Sequence, residues 1–515
     1  MAENASAVNS PASGTPAMAA RRPRLPWAVI AGIAAITLAR LALAVRLPLG
    51  DDETFYWEWS RHLAAGYVDQ PPAIAWLIRA STSLFGSTPF AVHLVAAVLL
   101  AFTSFALWTL AREMLGRDDA AAAAVALFNV IPVFAAGGLL AAPDGPLGLA
   151  WVMTLLWTWR GANGRAGGAW LAAGVWLGLA LDSKYTAAAL PVSICVWMAA
   201  APRYRFWFRR PEPYAGAAVA ALLFAPVVWW NATHQWASYH YAIAGRSSWS
   251  AGPNAPVFLG LQFVYLAPLL FPWLVWALAV ACRRGLAGDG AWLFLGVAGV
   301  PIIAGVFAAS LVGTAKGHWA APGYLAATVA LGGLIAERAW AARGRLWRLG
   351  IAAGIASAVA VTALAHALPE ISRWVLPPGL DPTVDYYGWS AAAPAIAAVA
   401  RRDARRPYFI TSDRYQVLAQ FDFSTGGRYP AATVTGTDQY ALWTRWSDLR
   451  GRDGLFIQDG RYPRRVDLRR GCRAVERGPS VPLVRDGVVV RKLDLVWCRE
   501  FDGRPLARSG RRFVY

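Results

Sequence analysis

Apolar stretches alternate with short polar loops along the first ~370 residues of the chain. Most stretches are about 15–25 residues long, close to the length of α-helix that crosses a hydrocarbon core of about 30 Å. The pattern predicts an α-helical polytopic membrane protein with about eleven transmembrane helices. The predicted spans cover about 25–45, 89–111, 120–137, 145–159, 169–182, 185–201, 213–230, 256–281, 291–312, 318–336 and 347–367. The fourth and fifth are short enough to be tilted or partly re-entrant.

A different pattern begins near residue 381. A helical stretch is followed by short runs of β-strand character between turn residues, at 408–411, 454–458 and 488–490. Short strand-like runs bounded by turn residues are typical of a mixed sheet domain. We therefore predict a small α/β domain over 381–515, docked on the membrane surface.

The hydrophobic pattern divides the chain into three parts, of which the α/β domain is the last. Residues 1–24 are rich in Ala, Ser, Pro and Gly, which predicts a disordered N-terminus. Residues 25–370 form the predicted transmembrane domain, with a large first outer loop at 46–88. The segment 21–45 also resembles a cleaved signal peptide, but its apolar run is long for one, which favours an uncleaved anchor.

Basic residues orient the predicted bundle. The loops on one side contain seventeen Lys or Arg residues, and those on the other side contain six. Because cytoplasmic loops are enriched in Lys and Arg, this bias places the N-terminus in the cytoplasm and the tail outside. The net charge of +19 comes from these loops and from the tail. A basic exterior domain suits anionic lipid headgroups or acidic glycans; the alternative is a solvated basic face.

Cysteines and missing motifs narrow the chemistry. Cys195 and Cys282 fall within or at the end of predicted spans, whereas Cys472 and Cys498 lie in the exterior tail. Oxidation is permitted there, so the second pair is a candidate disulfide. The sequence lacks CxxC and HExxH metal spacings and a GxxxxGK phosphate loop, so ATP is not the expected energy source. Nucleic acid is an unsuitable partner for the outer face of a membrane.

The costly polar residues of the membrane half gather on the predicted outer side. In loop order they are Asp51, Asp52, Glu53, Glu58 and Asp69; Asp144; Asp182 and Lys184; His234, His240 and Arg246; and Lys316 and His318. Carboxylates can orient or deprotonate a hydroxyl or hold a divalent cation. Lysine and arginine can hold a phosphate. This mixture at a bilayer edge, without an ATP motif, predicts a transferase that uses a lipid-phosphate donor.

The second half of the first outer loop is apolar. The stretch AIAWLIRASTSLF follows Pro71 and Pro72 and is amphipathic. It predicts a helix that lies in the membrane interface. The alternative is that its aromatic neighbours belong to an ordinary aromatic belt.

Four motifs resemble those of the GT-C glycosyltransferases that use polyprenyl-phosphate sugars. They are DDETFYWEWSRHLAAGYVDQPPAIAWL, APDG, LDSKYTAAALPV and KGHWAAPGYLA, in this order along the chain. The chain most resembles the branch with the lipid A aminoarabinose transferases and the bacterial relatives of protein O-mannosyltransferases. The resemblance implies a GT-C bundle in the bacterial inner membrane, an outward-facing site and an inverting single displacement.

The resemblance also implies roles for the acidic residues. The acidic pair of the family matches Asp52 and Glu53, with Asp52 as the chief catalytic candidate; its alternative role is a helix cap. Asp69 matches a substrate or metal position, or else forms a turn, and Gln70 stands where relatives carry lysine. Asp144 matches the acid of the second loop, or else caps a helix. A divalent metal is therefore a candidate cofactor that the sequence leaves open.

The donor phosphate is expected to contact basic residues. Lys184 matches a phosphate-binding position, with interfacial snorkelling as the alternative. Lys316 and His318 match a motif near the donor phosphate, and Arg246 is a further candidate.

These observations predict an integral membrane glycosyltransferase. It would move a sugar from a polyprenyl-phosphate donor to a lipid A or lipopolysaccharide-type acceptor on the periplasmic side. One alternative is a protein acceptor. Another is a flippase or transporter for lipid-linked sugars, which would need polar groups spread through the membrane depth. A third, a non-catalytic scaffold presenting the tail, leaves the loop carboxylates and lysines without a role.

Overall fold

The computed structural model describes residues 26–164, 167–246, 253–337, 344–377, 380–381, 383–436, 438–462 and 464–507. The predicted disordered N-terminus, 1–24, lies outside these ranges. The described chain is helical through its first three quarters and ends in a small sheet domain. The predicted fold class is confirmed.

The membrane half consists of helices joined by short connections. The bounds are α1 Trp27–Ala44, α2 Asp51–Arg61, α3 Ala73–Phe85, α4 Pro89–Leu115, α5 Asp118–Val130, α6 Pro132–Gly137, α7 Asp144–Ala162, α8 Ala169–Leu181, α9 Ala189–Ala200, α10 Pro211–Thr233, α11 Ala237–His240, α12 Ala255–Tyr265, α13 Phe271–Leu286, α14 Gly290–Val312, α15 Ala321–Ala336 and α16 Arg345–Val375. Turns of 3-10 helix precede α9, α10 and α15, and a π-helical turn follows α11.

The protein is a multi-pass membrane protein. Six described helices are long and apolar enough to cross a membrane, or seven if a pair bent by 117° counts as one span. Shorter or broken helices occupy the other predicted spans. Pro132 begins α6 and divides the predicted span 120–137. Pro268 lies between α12 and α13 and divides 256–281. Proline lacks a backbone N–H and cannot continue the hydrogen-bond ladder, so helices end before it.

Small residues allow close helix contacts in the bundle. Gly174 of α8 and Gly216 of α10 lie opposite each other, and a Cβ on Gly174 would be 2.0 Å from the Gly216 carbonyl oxygen. Such close approach is how membrane helices gain packing contacts without a hydrophobic driving force. Elsewhere the core is filled by aromatic rings, including buried Trp151 and Trp197.

The tail forms a four-stranded sheet with helices packed against both faces. Its elements are α17 Trp389–Asp403, β1 Tyr408–Thr411, α18 Tyr415–Thr425, α19 Gln439–Trp443, α20 Trp446–Leu449, β2 Asp453–Asp459, β3 Cys472–Arg485 and β4 Val488–Phe501. The strand order is β1-β2-β4-β3, with β1 parallel to β2 and the other pairs antiparallel. A disulfide joins Cys472 to Cys498, with 5.2 Å between their Cα atoms.

The tail is joined to the end of α16 through a buried arginine. Arg485 donates to Asp381 Oδ2 at 3.0 Å, Ser372 Oγ at 2.9 Å and Thr383 Oγ1 at 3.1 Å. It also donates to the carbonyl oxygen of Pro369. The side chains of Arg485 and Asp381 are each 5% exposed. A buried charge is stable only when it is paired and hydrogen-bonded, so these contacts hold the tail on the bundle.

The first loop supplies two helices between bundle and tail. Helix α2 shares a hydrophobic core with α17, α18 and the inner face of the sheet. Helix α3 buries Ile74, Ala75 and Ile78 but leaves Leu84 78% exposed and Phe85 52% exposed. This one-sided apolar exposure is what a helix lying in a membrane interface requires.

Candidate functional site

Asp51, Asp52 and Glu53 form the first turn of α2. The helix begins here because Glu53 Oε2 accepts the N–H of Gly50 at 3.0 Å, which satisfies a donor at the helix start. Acidic side chains in a first turn are also favoured by the positive end of the helix dipole. The capping expected of an aspartate at this position is thus performed by Glu53.

Glu53 also connects α2 to the bundle. Its Oε1 accepts the N–H of Ala141 at 2.8 Å. The fully buried ring of His93, on α4, lies within 3.2–3.3 Å of both carboxylate oxygens. With 4% of Glu53 exposed, this carboxylate is enclosed by donors. The arrangement favours a positioning role for Glu53 and leaves the chemistry to its neighbours.

The other two carboxylates contact the tail domain. Asp52 is exposed, and its Oδ1 accepts the hydroxyl of Tyr415 at 3.4 Å. Asp51 is half-buried, and its Oδ1 accepts the side-chain amide of Gln420 at 3.1 Å. Burial raises the pKa of Asp51 to about 7; the negative charge of Asp385 adds to this shift and Arg491 opposes it. Asp52 is therefore the carboxylate of this turn that is open to a substrate.

Asp144 and Lys184 are brought together by the fold. Lys184 Nζ lies 2.7 and 2.8 Å from the two carboxylate oxygens of Asp144. The lysine side chain is 5% exposed and the Asp144 side chain 36%. Asp144 begins α7, three residues after Ala141, the residue that binds Glu53. The segment 141–144 therefore links the acidic turn of α2 to the lysine.

The loop between α2 and α3 is clamped on two sides. Ser238 Oγ donates to the Tyr67 carbonyl at 2.6 Å, and Gln439 of the tail accepts the Val68 N–H at 2.8 Å. Asp69 follows directly and is 9% exposed, with Gln70 at 3%. These two hydrogen bonds fix the main chain directly before Asp69.

Asp182 is a further buried carboxylate, beside the start of α3. Its main-chain oxygen accepts the Ala73 N–H at 3.0 Å, so its loop touches the start of α3. It is 3% exposed, and within the described ranges its Oδ1 has no hydrogen-bond donor. The signal was present in LDSKY, where two charged residues stand next to an apolar span.

Lys316 and His318 lie on a separate loop, before α15. This loop packs on α12: Gln262 donates to the Gly317 carbonyl at 3.1 Å, and the rings of His318 and Tyr265 are 6.5 Å apart. Lys316 is exposed and His318 half-buried. Arg246 ends the π-helical turn after α11, and its side chain lies outside the described part of the chain.

Residues of the tail lie beside the acidic turn, and no sequence motif predicted this contact. Tyr386 lies against Gly50, where an added Cβ would be 3.1 Å from its ring. Asp385 pairs with Arg491 at 2.8 Å and Arg461 at 2.6 Å. Over 300 residues separate these groups from α2, so only the folded chain brings them to the acidic turn.

Two cavities are found among the described residues. One of about 220 Å³ lies between the ends of α1, α6 and α16, with Arg46, His366 and Tyr386 among its walls. A larger one of about 700 Å³ lies in the tail, lined in part by Arg464, Arg477 and Asp494. The smaller cavity shares Tyr386 with the acidic turn. Among the described residues, no group of three His, Cys, Asp or Glu side chains is arranged to hold a metal ion.

The fold and the acidic turn define a multi-pass membrane protein with the GT-C glycosyltransferase fold. The structure superposes on ArnT from Cupriavidus metallidurans bound to undecaprenyl phosphate with a TM-score of 0.62 and 17% identity, covering 91% of this chain and 97% of that one. The apo state of the same protein matches with a TM-score of 0.62 and 16% identity, over the same shares of the two chains. The predicted GT-C fold is confirmed.

Sequence comparisons also find similarity to glycosyltransferases. Residues 69–230 match the model of the dolichyl-phosphate-mannose-protein mannosyltransferase family. The lipid A galacturonosyltransferase RgtD from Rhizobium johnstonii is 26% identical over 283 residues. That match covers 54% of this chain and 59% of RgtD, so the chain spans somewhat less than two thirds of this relative.

Proposed function

We propose that this protein is a glycosyltransferase that moves a sugar from a polyprenyl-phosphate donor to a lipid A-type acceptor. We place it in the bacterial inner membrane, with α2 and the tail on the periplasmic side. The basic-residue bias of the loops supports this orientation. The similarity to RgtD favours lipid A as the acceptor, and the fold of ArnT bound to undecaprenyl phosphate supports the lipid-phosphate donor.

One observation supports the proposal above the others: an acidic turn and a cation are fastened to the same short segment. Glu53 binds Ala141 and Lys184 binds Asp144. Three residue steps span at most about 11 Å of extended chain. The acidic turn of α2 and the Lys184 ammonium are thus both fastened to the segment 141–144.

The proposed reaction is a single displacement with inversion. Asp52 accepts the proton of the acceptor hydroxyl as that oxygen attacks the anomeric carbon. The bond from this carbon to the donor phosphate oxygen breaks, and the lipid phosphate leaves with the electron pair. Lys184, Lys316, His318 and Arg246 are the groups we assign to the phosphate, where cations stabilise the growing charge. Asp69 and Asp144 orient the substrates.

The test is transfer of labelled sugar in membranes that contain the chain. Purified polyprenyl-phosphate sugar is the donor, and label is counted separately in extracted lipid A and in protein. Asp52→Asn should reduce transfer by about 10²–10⁴-fold, the usual contribution of a general base. Asp448→Asn, at an exposed residue of α20, is the matched control and should keep full transfer.

The outcomes separate the alternatives. Label recovered in protein and not in lipid A would show that the acceptor is a protein. Movement of the donor across the membrane without transfer would favour a flippase. Full transfer by Asp52→Asn would remove Asp52 from the mechanism.

A further inference from the structure

The tail helix α18 is packed directly on the helix that carries the acidic turn. The rings of Tyr415 and Phe55 have centroids 4.1 Å apart, and those of Phe423 and Trp57 5.0 Å. Tyr415, Phe55 and Trp57 are buried. This contact surface joins two elements separated by more than 350 residues.

Two polar side chains of α18 reach the acidic turn across this surface. The Tyr415 hydroxyl donates to Asp52 Oδ1 at 3.4 Å. The Gln420 amide donates to Asp51 Oδ1 at 3.1 Å, to the Leu49 carbonyl at 3.0 Å and to the Asp385 carbonyl at 3.4 Å. Gln420 is 3% exposed, so its two N–H groups depend on these acceptors.

A partly buried ion network lies beside the same contact. Asp385 lies next to Asp51 and accepts Arg491 Nη1 at 2.8 Å, with the Arg491 side chain 1% exposed. Asp459, 2% exposed, pairs with Arg461 at 3.1 Å. Cations of the tail thus offset negative charge that gathers where α2 begins.

We propose that Tyr415 and Gln420 are positioning residues for the Asp51 and Asp52 carboxylates, which makes the tail domain a working part of the transfer site. This inference rests on the proposed function. Tyr415 engages Oδ1 of Asp52, which directs Oδ2 to the acceptor hydroxyl. Gln420 holds Asp51 and the Leu49 main chain, which sets where the turn starts.

Tyr415→Phe tests the first contact, because it keeps the ring on Phe55 and removes only the hydroxyl. We expect kcat to fall about tenfold, since a hydrogen bond to a charged group contributes at this scale, while KM for the donor stays within about twofold. Tyr429→Phe is the matched control: Tyr429 is in the same domain, and its hydroxyl contacts exposed Arg401. It should keep wild-type kcat.

A second measurement does not depend on sugar transfer. Carbodiimide couples an amine to protonated carboxyl groups, and fragment mass spectrometry locates the label on Asp51 or Asp52. Gln420 lowers the pKa of Asp51 by its hydrogen bond. Gln420→Leu should therefore extend Asp51 labelling to higher pH. The charged or titratable groups around Asp51 are Asp52, Asp385, Tyr386 and Arg491.

The two measurements fail separately. If the wild-type chain transfers no sugar but Gln420→Leu shifts the labelling, the proposed function fails and the contact between tail and carboxylates stands. If the wild type is active, wild-type kcat in Tyr415→Phe together with unchanged labelling in Gln420→Leu overturns the inference. A loss of kcat in Tyr429→Phe equal to that in Tyr415→Phe also overturns it, because the effect would then be general to the domain.

Discussion

At the scale of single residues, the acidic turn of α2 contains neighbours with different tasks. Glu53 is enclosed by the N–H groups of Gly50 and Ala141 and by the ring of His93. Asp52 is exposed, and among the described residues its carboxylate accepts one side-chain hydrogen bond, from the Tyr415 hydroxyl. Adjacent carboxylates of identical charge therefore differ in what they stabilise.

Glu53→Gln is expected to lower stability, whereas Asp52→Asn is not. The new side-chain amide would present N–H groups to N–H donors and leave one of them unsatisfied, which costs about 1–3 kcal/mol. Thermal unfolding of the purified chain in detergent measures this, with Asp52→Asn as the matched comparison. Equal melting temperatures for the two variants would contradict the positioning role of Glu53.

The Asp144–Lys184 pair should respond asymmetrically to mutation. Asp144→Asn removes the carboxylate that faces a lysine of 5% exposure, whereas Lys184→Met leaves a carboxylate of 36% exposure that water can reach. Breaking a buried pair costs up to about 3–5 kcal/mol when the remaining charge stays buried. We expect the larger loss of unfolding free energy in Asp144→Asn, measured by denaturant titration. A larger loss in Lys184→Met would show that the lysine charge is solvated.

At the scale of elements, the α2–α18 contact encloses a second acidic position. Asp422 is 3% exposed, and burial raises its pKa well above the usual range; Glu58 of α2 adds to this shift and Arg61 opposes it. Its Oδ1 has no donor among the described residues. The helix pair is thus packed around a carboxyl group that prefers to be neutral.

This contact should weaken as the pH rises. A carboxyl group whose pKa is higher in the folded than in the unfolded chain binds its proton more tightly when folded. Burial of this carboxyl does not destabilise the folded chain below the unfolded pKa of about 3.9. As the pH rises above that value, the loss of folding free energy grows. Asp422→Asn should therefore raise the melting temperature more at pH 8 than at pH 5. An equal effect at both pH values would mean that Asp422 does not titrate in this range.

The sequence predicted the elements better than their contacts. The first outer loop, the apolar helix after Pro72 and the sheet of the tail follow from local patterns of apolar, turn and charged residues. The partners of the acidic turn do not, because Tyr415 and Gln420 lie in a helix with no motif. A shared hydrophobic core brings α2 and α18 together. The periodicity of one sequence shows which face of a helix is apolar but not which helix packs against it.

At the scale of the whole molecule, the tail is joined to the rest of the chain at several places. They include the α2–α18 contact, the hydrogen bond from Val68 to Gln439 and the buried Arg485 network at the end of α16. The tail is therefore packed on the helix that carries the acidic turn, and the Arg485 network, with Arg485 and Asp381 each 5% exposed, is nearly closed to solvent.

Arg485→Leu is expected to loosen the tail. It leaves Asp381, whose side chain is 5% exposed, without its cation, a change that costs about 3–5 kcal/mol in buried pairs. The measurement is the rate of limited proteolysis between α16 and α17. Arg473→Leu is the control, since its side chain is 75% exposed in a pair with Glu500. Cleavage at the wild-type rate in Arg485→Leu would show that the core alone holds the tail.

The sequence by itself determined the membrane class, the change to a sheet domain near residue 381 and which side gathers the carboxylates and lysines. Those properties are encoded locally, in runs of apolar residues near the thickness of a bilayer and in charges placed between them. Only the tertiary structure decided that Glu53 is an enclosed anchor, that Asp144 pairs with Lys184 and that tail side chains hold the acidic turn. Such contacts depend on how distant helices pack, and burial then sets which carboxylate is exposed to react.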